Sequence, residues 1–133
     1  MILLLRRVPQ MDRDLHAGKW SKQIGRQLAG KTVVNCGFGR IGRWEAELLR
    51  PFGVCLRAVD PYAGIDSGVP VRSFEEALAI ADVITIHVSG EEQILGRQEF
   101  DRIKRGAFPL NGSRGIVVDE AVNNLLRALF EDQ

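Results

Sequence analysis

The sequence lacks the features that mark several large classes of protein. It has 2 cysteines in 133 residues, far too few for a disulfide-rich secreted scaffold. Its 18 Lys and Arg nearly balance its 17 Asp and Glu, and this net charge of +1 provides no basic surface for nucleic acid or an anionic membrane. The apolar start, Met1 to Leu5, is much too short to span a membrane. We therefore predict a cytoplasmic protein without a metal site, whose partner is a small molecule or another protein.

The composition favours one domain. Hydrophobic residues make up 45% of the chain, enough for a single core at this length. Cys36 and Cys55 each lie in an apolar run, so we predict two buried free thiols. Residues 1–30 differ from the rest and are predicted as a connecting helix, ending near Pro9, followed by a polar linker anchored by Trp20.

From Lys31 onward the pattern alternates between strands and helices, which predicts an α/β domain with a doubly wound parallel sheet. In the first helix of this domain the apolar spacing predicts a buried face made of Ile41, Trp44, Leu48 and Leu49. Serine and glutamate at 73 and 76 form a capping-box pattern that starts the next helix. About five strands are predicted, at 32–36, 54–59, 70–72, 82–87 and 107–111, with helices at 40–50, 73–80, 91–104 and 119–130.

A glycine motif joins the first strand to the first helix. The segment reads Gly37-Phe38-Gly39-Arg40-Ile41-Gly42, so that GxGxxG lies directly between strand and helix. The first glycine permits a tight turn, the second lets the backbone approach a pyrophosphate, and the third lets the helix pack closely on the strand. The helix amino terminus would attract the phosphate charge. Arg40 is either a further phosphate contact or a solvated side chain.

An acidic residue follows at the position that completes a dinucleotide site. Asp60 ends the second predicted strand, eighteen residues after Gly42. A carboxylate there accepts hydrogen bonds from the adenosine ribose and repels a 2′-phosphate, which favours NAD over NADP. The alternative is a solvated turn residue before Pro61. Taken together, the strand, glycines, helix and acid predict a Rossmann-like, NAD-binding domain over residues 31–133.

The whole chain also resembles a known family, the D-isomer-specific 2-hydroxyacid dehydrogenases of the phosphoglycerate dehydrogenase-like group. The motifs that carry this resemblance are RRVPQMDRDLHAGKW, GKTVVNCGFGRIGR, AVDPY, ADVITIHVSG and KRGAFPLNGSRGIVVDEAV. The resemblance implies that Arg114 binds the substrate carboxylate and polarises its ketone oxygen. It also implies that His87 lies beside the cofactor, although a purely structural histidine remains the alternative.

The resemblance further implies an incomplete enzyme. The family's proton-donating histidine and its glutamate partner lie C-terminal to the matching segment, and so do further strands. We therefore expect an isolated chain that binds NAD weakly and does not turn over a 2-hydroxy or 2-keto acid. We also expect it to pair as a homodimer through its N-terminal helix. The alternatives are a non-enzymatic dinucleotide-responsive module, or a Rossmann unit for FAD or S-adenosylmethionine.

Overall fold

The computed structural model describes residues 1–63 and 68–131, with side chains described as far as residue 125. Four parallel strands form its sheet in the order β2-β1-β3-β4. Strand order crosses over at β1, because β2 lies on one side of β1 and β3 on the other. The strands are β1 (Thr32–Cys36), β2 (Cys55–Val59), β3 (Val83–Ile86) and β4 (Phe108–Asn111).

Helices cover both faces of this sheet. Successive residues of a strand point to opposite faces, so Val33 packs with Leu49 of one helix while Val34 packs with Leu78 of another. This arrangement confirms the predicted Rossmann-like, doubly wound α/β fold. The helices are α1 (Ile2–Leu5), α2 (Val8–His16), α3 (Arg40–Leu49), α4 (Phe74–Ile80), α5 (Arg97–Arg102) and α6 (Glu120–Glu131).

The predicted count of five strands was wrong. The segment predicted as a strand at 70–72 makes a single parallel bridge, between Ala58 and Val71. Two backbone hydrogen bonds flank it, from Ala58 to Pro70 and from Arg72 to Ala58. Pro70 has no amide hydrogen to donate to a strand ladder. Ser73 caps α4 by accepting from the Glu76 amide, so only two residues separate the proline from this helix cap, too few for a longer strand.

The N-terminal segment also differs from its prediction. Pro9 lies in the first turn of α2 and so begins a helix, because a proline amide needs no partner there. The break falls earlier, at Arg7, whose backbone is left-handed at φ 54°. Trp20 is 88% exposed and anchors nothing, whereas Leu5 and Leu28 are buried against the sheet.

The buried face of α3 was predicted incorrectly. Ile41, Trp44 and Leu48 are all more than 60% exposed, and only Leu49 of the predicted set is buried. The face that meets the sheet carries Gly42, Ala46 and Leu49, because the small residues allow the helix axis to approach the strands. Cys55 is likewise exposed, contrary to prediction, while Cys36 is buried.

Asp82 links neighbouring segments at the amino end of the sheet. Its carboxylate accepts hydrogen bonds from the Thr32 amide at 2.9 Å and from the Lys104 ammonium at 2.8 Å. Burial raises the pKa of Asp82, but the hydrogen bonds and the charges of Lys104 and Lys31 outweigh it and lower the pKa overall. This carboxylate therefore stabilises the fold above its ordinary pKa and ceases to do so on acidification. In α6 the apolar spacing predicts one face made of Val122, Leu125, Leu126, Leu129 and Phe130. Val122 is buried and Leu125 is exposed, while the side chains of the other three lie outside the described residues.

Candidate functional site

The glycine loop has the backbone geometry that its motif predicts. Gly37 has φ +90°, and a Cβ there would lie 2.8 Å from the backbone of His87. A Cβ on Gly42 would collide with the Gly37 carbonyl oxygen. A Cβ on Gly39 would meet no protein atom within 4 Å, so this residue faces open space at the start of α3. The first and third glycines are thus required by the protein itself, and the second leaves room for a ligand.

Asp60 organises this loop. Its Oδ2 accepts a hydrogen bond from the Phe38 amide at 2.6 Å, and its Oδ1 accepts one from the Tyr62 amide at 2.7 Å. The carboxylate therefore joins the end of β2 to the middle of the glycine motif. An Asp side chain that bonds the amide two residues on is also the turn role that the sequence left open, and Asp60 has this role as well as its place at the site.

A cleft of about 1050 Å³ opens at the carboxyl end of the sheet. Six of the predicted site residues line it, namely Gly37, Gly39, Arg40, Ile41, Asp60 and His87. Gly42 lies beneath the loop and Arg114 lies outside the cleft lining. Cys36 also borders the cleft, and burial raises the pKa of its thiol to about 12, so it remains protonated and unreactive.

His87 is held by an acidic residue of α3. Its Nε2 lies 2.9 Å from Oε2 of Glu45, and the Thr85 hydroxyl donates to the same oxygen at 2.7 Å. The Nδ1 atom of His87 is buried and makes no hydrogen bond within the described residues. The polar atoms of this ring therefore face the protein, and the ring forms part of the cleft wall.

Arg114 lies on the loop after β4. Its guanidinium donates to Glu91 at 2.7 Å, and both side chains are largely exposed. Asn111 shapes the loop, because its amide group donates to the Arg114 carbonyl at 2.8 Å and its Oδ1 accepts from the Ser113 amide at 3.0 Å. The arginine is thus placed at the same edge of the sheet as the glycine loop, with its charge accessible.

The sequence did not point to several residues of this region. Glu45 was missed, although Gly42 gave a signal: a helix packed on the sheet through Gly42 also turns residue 45 inward. Phe74, Val88 and Ile94 supply apolar wall to the cleft without any local pattern that marks them. Within the described residues, no three His, Cys, Asp or Glu side chains come together as a metal site, and no helix is long and apolar enough to cross a membrane.

The residues present fit a dinucleotide. The cleft is large enough for an extended ligand, Gly39 leaves the start of α3 open, and no side-chain cap hydrogen bond is made at that helix end among the described residues. The free amides of the first turn would face the pyrophosphate. Asp60 lies at the adjacent strand end, where a ribose is bound in folds of this kind.

Comparison with known proteins identifies the family of this domain. The family model described as "D-isomer specific 2-hydroxyacid dehydrogenase, NAD binding domain" matches residues 1–133. D-3-phosphoglycerate dehydrogenase 2 of Arabidopsis thaliana chloroplasts is 35% identical, over 95% of this chain and 21% of that protein. D-lactate/D-glycerate dehydrogenase of Pediococcus acidilactici is 34% identical, over 97% of this chain and 41% of that one.

Solved structures give the same result. D-2-hydroxyisocaproate dehydrogenase superposes with a TM-score of 0.89 at 28% identity, over 98% of this chain and 42% of that chain. The NAD-dependent formate dehydrogenase of Staphylococcus aureus, solved in complex with NAD, superposes with a TM-score of 0.86 at 30% identity, over 96% and 41%. The chain therefore spans about a fifth to two fifths of the length of these relatives. It belongs to the D-isomer-specific 2-hydroxyacid dehydrogenase family, as the NAD-binding domain.

Proposed function

We propose that the chain is the cofactor-binding part of an enzyme that interconverts D-2-hydroxy acids and 2-keto acids. The observation that carries this proposal is the meeting of the glycine loop, Asp60 and the Arg114 loop at one edge of the sheet. NAD, when bound, supplies the hydride acceptor of such a reaction. The side chains of this domain bind and orient the two reactants.

The glycine loop and Asp60 hold the dinucleotide in this proposal. Gly37, Gly39 and Gly42 let the backbone approach the pyrophosphate, and Arg40 and Ile41 contact the cofactor from the first turn of α3. Asp60 accepts hydrogen bonds from the ribose hydroxyls with the lone pairs that Phe38 and Tyr62 leave free. His87 contributes the wall that its ring forms beside the cofactor.

Arg114 binds the substrate in this proposal. A guanidinium presents paired donors that match a carboxylate, and this one is 60% exposed. Its pair with Glu91 lies in solvent, where such contacts are worth only about 0.2–1 kcal/mol, so a substrate carboxylate can replace it. Arg114 would then also polarise the ketone oxygen.

The chain's own histidines do not suit the role of acid and base. His16 lies on α2, 78% exposed, beside Asp12. His87 is hydrogen-bonded to Glu45, and within the described residues neither histidine makes a hydrogen bond or ion pair with Arg114. We infer that the domain binds NAD and does not by itself complete the reaction.

We propose two further properties of the domain. Homodimerisation through the N-terminal helix is supported by the exposure of Ile2, Leu3 and Leu4, at 46%, 60% and 37%. Sedimentation at several concentrations tests it, and a monomer at all of them contradicts it.

A cytoplasmic location is supported by the two free cysteines, since thiols stay reduced there.

Cofactor binding is tested by calorimetry with NAD and NADP on the chain and on Asp60→Ala. We expect the substitution to weaken NAD binding by about tenfold or more, and NADP binding much less, because the lost carboxylate favours only the unphosphorylated ribose. The ratio of the two affinities is the informative quantity, since loop damage alone lowers both equally. Asp101→Ala, on the distant helix α5, is the matched control. Equal losses for NAD and NADP would remove Asp60 from this role.

A further inference from the structure

A row of polar side chains is buried where helix α3 lies on the sheet. Asn35 of β1 and Thr85 of β3 are aligned in parallel register and are 0% and 1% exposed. Strands of buried parallel sheets are ordinarily almost wholly apolar. Asn35 donates to the Gly42 carbonyl at 2.9 Å, and Thr85 donates to Glu45 at 2.7 Å. These hydrogen bonds therefore attach both the first and the second turn of α3 to the sheet.

Glu45 gathers two donors on one oxygen. His87 follows Thr85 by two residues and so lies on the same face of the sheet. Its Nε2 lies 2.9 Å from the Glu45 Oε2 atom that also accepts from Thr85. The side chains of His87 and Glu45 are 12% and 24% exposed. Because a carboxylate only accepts, a neutral His87 must carry its proton on Nε2. Glu45 thus determines both the tautomer and the orientation of the ring.

His87 meets three parts of the site: its ring contacts Glu45 of α3 and lies against Gly112, and its backbone lies against Gly37. A Cβ on Gly112, at the start of the loop to Arg114, would lie 2.9 Å from Cε1 and 3.0 Å from Nδ1 of His87. The His87 backbone closes on Gly37, and its amide donates to the Cys36 carbonyl at 2.7 Å. One residue therefore sets the spacing between the glycine loop, α3 and the loop that carries the arginine.

We propose that Glu45 is a positioning residue for NAD: by holding the His87 ring, it fixes the glycine loop relative to the opposite wall of the cleft. The proposal rests on NAD binding at this loop and adds a residue that never touches the cofactor. The charge of Glu45 works against its own role, because a carboxylate on α3 repels an anionic pyrophosphate. Charge and geometry therefore predict opposite effects when Glu45 is replaced.

The experiment compares Glu45→Leu and Glu45→Gln with the unaltered chain, using calorimetry with NAD and thermal melts to verify folding. We expect the dissociation constant to rise about tenfold for leucine, which cannot accept from His87, and to stay within about threefold for glutamine, which can. Glu47→Leu is the matched control, because Glu47 lies exposed on the same helix and should leave the constant unchanged.

Imidazole 15N spectra give a second readout, independent of the cofactor. The chain has 2 histidines, so a His16→Gln background leaves one ring to observe. At a pH where the ring is neutral, we expect the Nε2-protonated tautomer in the unaltered chain and in Glu45→Gln, and a mixture of tautomers in Glu45→Leu. If Glu45→Leu does not fold, His87→Phe breaks the same contact and should raise the dissociation constant similarly.

The outcomes distinguish positioning of the His87 ring by Glu45 from repulsion of the pyrophosphate by the Glu45 charge. Equal NAD affinity for the leucine variant and the unaltered chain overturns the positioning role while leaving the proposed function intact. Tighter binding by both Glu45 variants also overturns it, since that is the effect of charge alone. An unaltered chain that folds and does not bind NAD contradicts the proposed function together with this inference.

Discussion

The two faces of the sheet are built from alternate residues of the same strands, yet they differ in chemistry. On the face under α4, the central strands β1 and β3 bury only Val34, Cys36, Ile84 and Ile86. The face under α3 is apolar at its amino end, at Val33 and Val83, and becomes polar at its carboxyl end, at Asn35 and Thr85. Residues buried on the α4 face include Val34, Cys36, Ala77, Leu78, Ile84, Ile86, Leu95, Val117 and Val122.

This difference separates stability from the arrangement of the site. Apolar burial stabilises without directional demands, and the α4 face carries a larger buried apolar cluster than either cluster on the α3 side, so it contributes strongly to the stability of the domain. Hydrogen bonds fix direction as well as distance, and on the α3 face they hold the helix that presents the glycine loop. Substitutions on the two faces should therefore change different measurements.

The largest effect on stability is expected on the α4 face. Ile84 is 0% exposed, so Ile84→Ala should lower the free energy of unfolding in urea by about 2–5 kcal/mol through lost burial and a new cavity. Ile80→Ala, which truncates a 43% exposed isoleucine of α4, is the control and should cost far less. Under conditions where both variants are folded, their NAD affinity should match that of the unaltered chain. A tenfold loss of NAD affinity for Ile84→Ala would contradict the view that the α4 face affects stability and not the site.

Two alanine substitutions in the glycine loop sharpen the comparison within the α3 face. Gly42→Ala forces a Cβ onto the Gly37 carbonyl and should destabilise the fold by about 1–3 kcal/mol. Gly39→Ala adds a Cβ to open space, so it should cost less than about 1 kcal/mol as a poorer helix cap. It should nevertheless weaken NAD binding about tenfold, because the methyl group takes the room of the pyrophosphate. Calorimetry and urea unfolding on both variants measure the two effects, and unchanged NAD binding by Gly39→Ala would contradict the placement of the phosphates.

The smallest effect is expected at the rim, where Arg114 pairs with Glu91. In the proposed function, Glu91→Gln removes the charge that would compete with a substrate carboxylate, so pyruvate should bind the NADH-loaded chain more tightly, by less than about fivefold for an exposed pair. Titration followed by NMR measures the affinity, and the neighbouring Glu92→Gln is the control. Weaker pyruvate binding by Glu91→Gln would mean that the glutamate supports the site of Arg114.

The sequence predicted the part of the fold that depends on local pattern. The glycine motif located the turn between β1 and α3, and the alternation of elements predicted the parallel sheet with helices on both faces. The inward face of α3 was wrong because hydrophobicity alone does not tell which stripe of a helix meets a sheet. Gly42 carried that information, since close packing occurs where side chains are smallest.

Contacts between distant segments could not be predicted in the same way. Glu45 and His87 are 42 residues apart, and Arg114 and Glu91 are 23 apart, so no spacing rule joins them. The segment at Val71 makes a single bridge because the capped helix that follows limits its length; here the Ser73 capping pattern, visible in the sequence, outweighed the local strand propensity.

The two amide hydrogen bonds of Asp60 have a consequence for cofactor engineering. Admitting NADP in place of NAD ordinarily means removing the carboxylate that repels the 2′-phosphate. In this domain the same carboxylate accepts from Phe38 inside the glycine motif and from Tyr62 beyond it. Exchange of residue 60 alone would discard the tie that shapes the phosphate loop along with the unwanted charge. Asparagine at this position is neutral but has one acceptor oxygen, so it can keep the hydrogen bond from Phe38 or the one from Tyr62 and not both. A redesigned domain therefore needs the bond from Phe38 to be kept, together with a new cation at the rim.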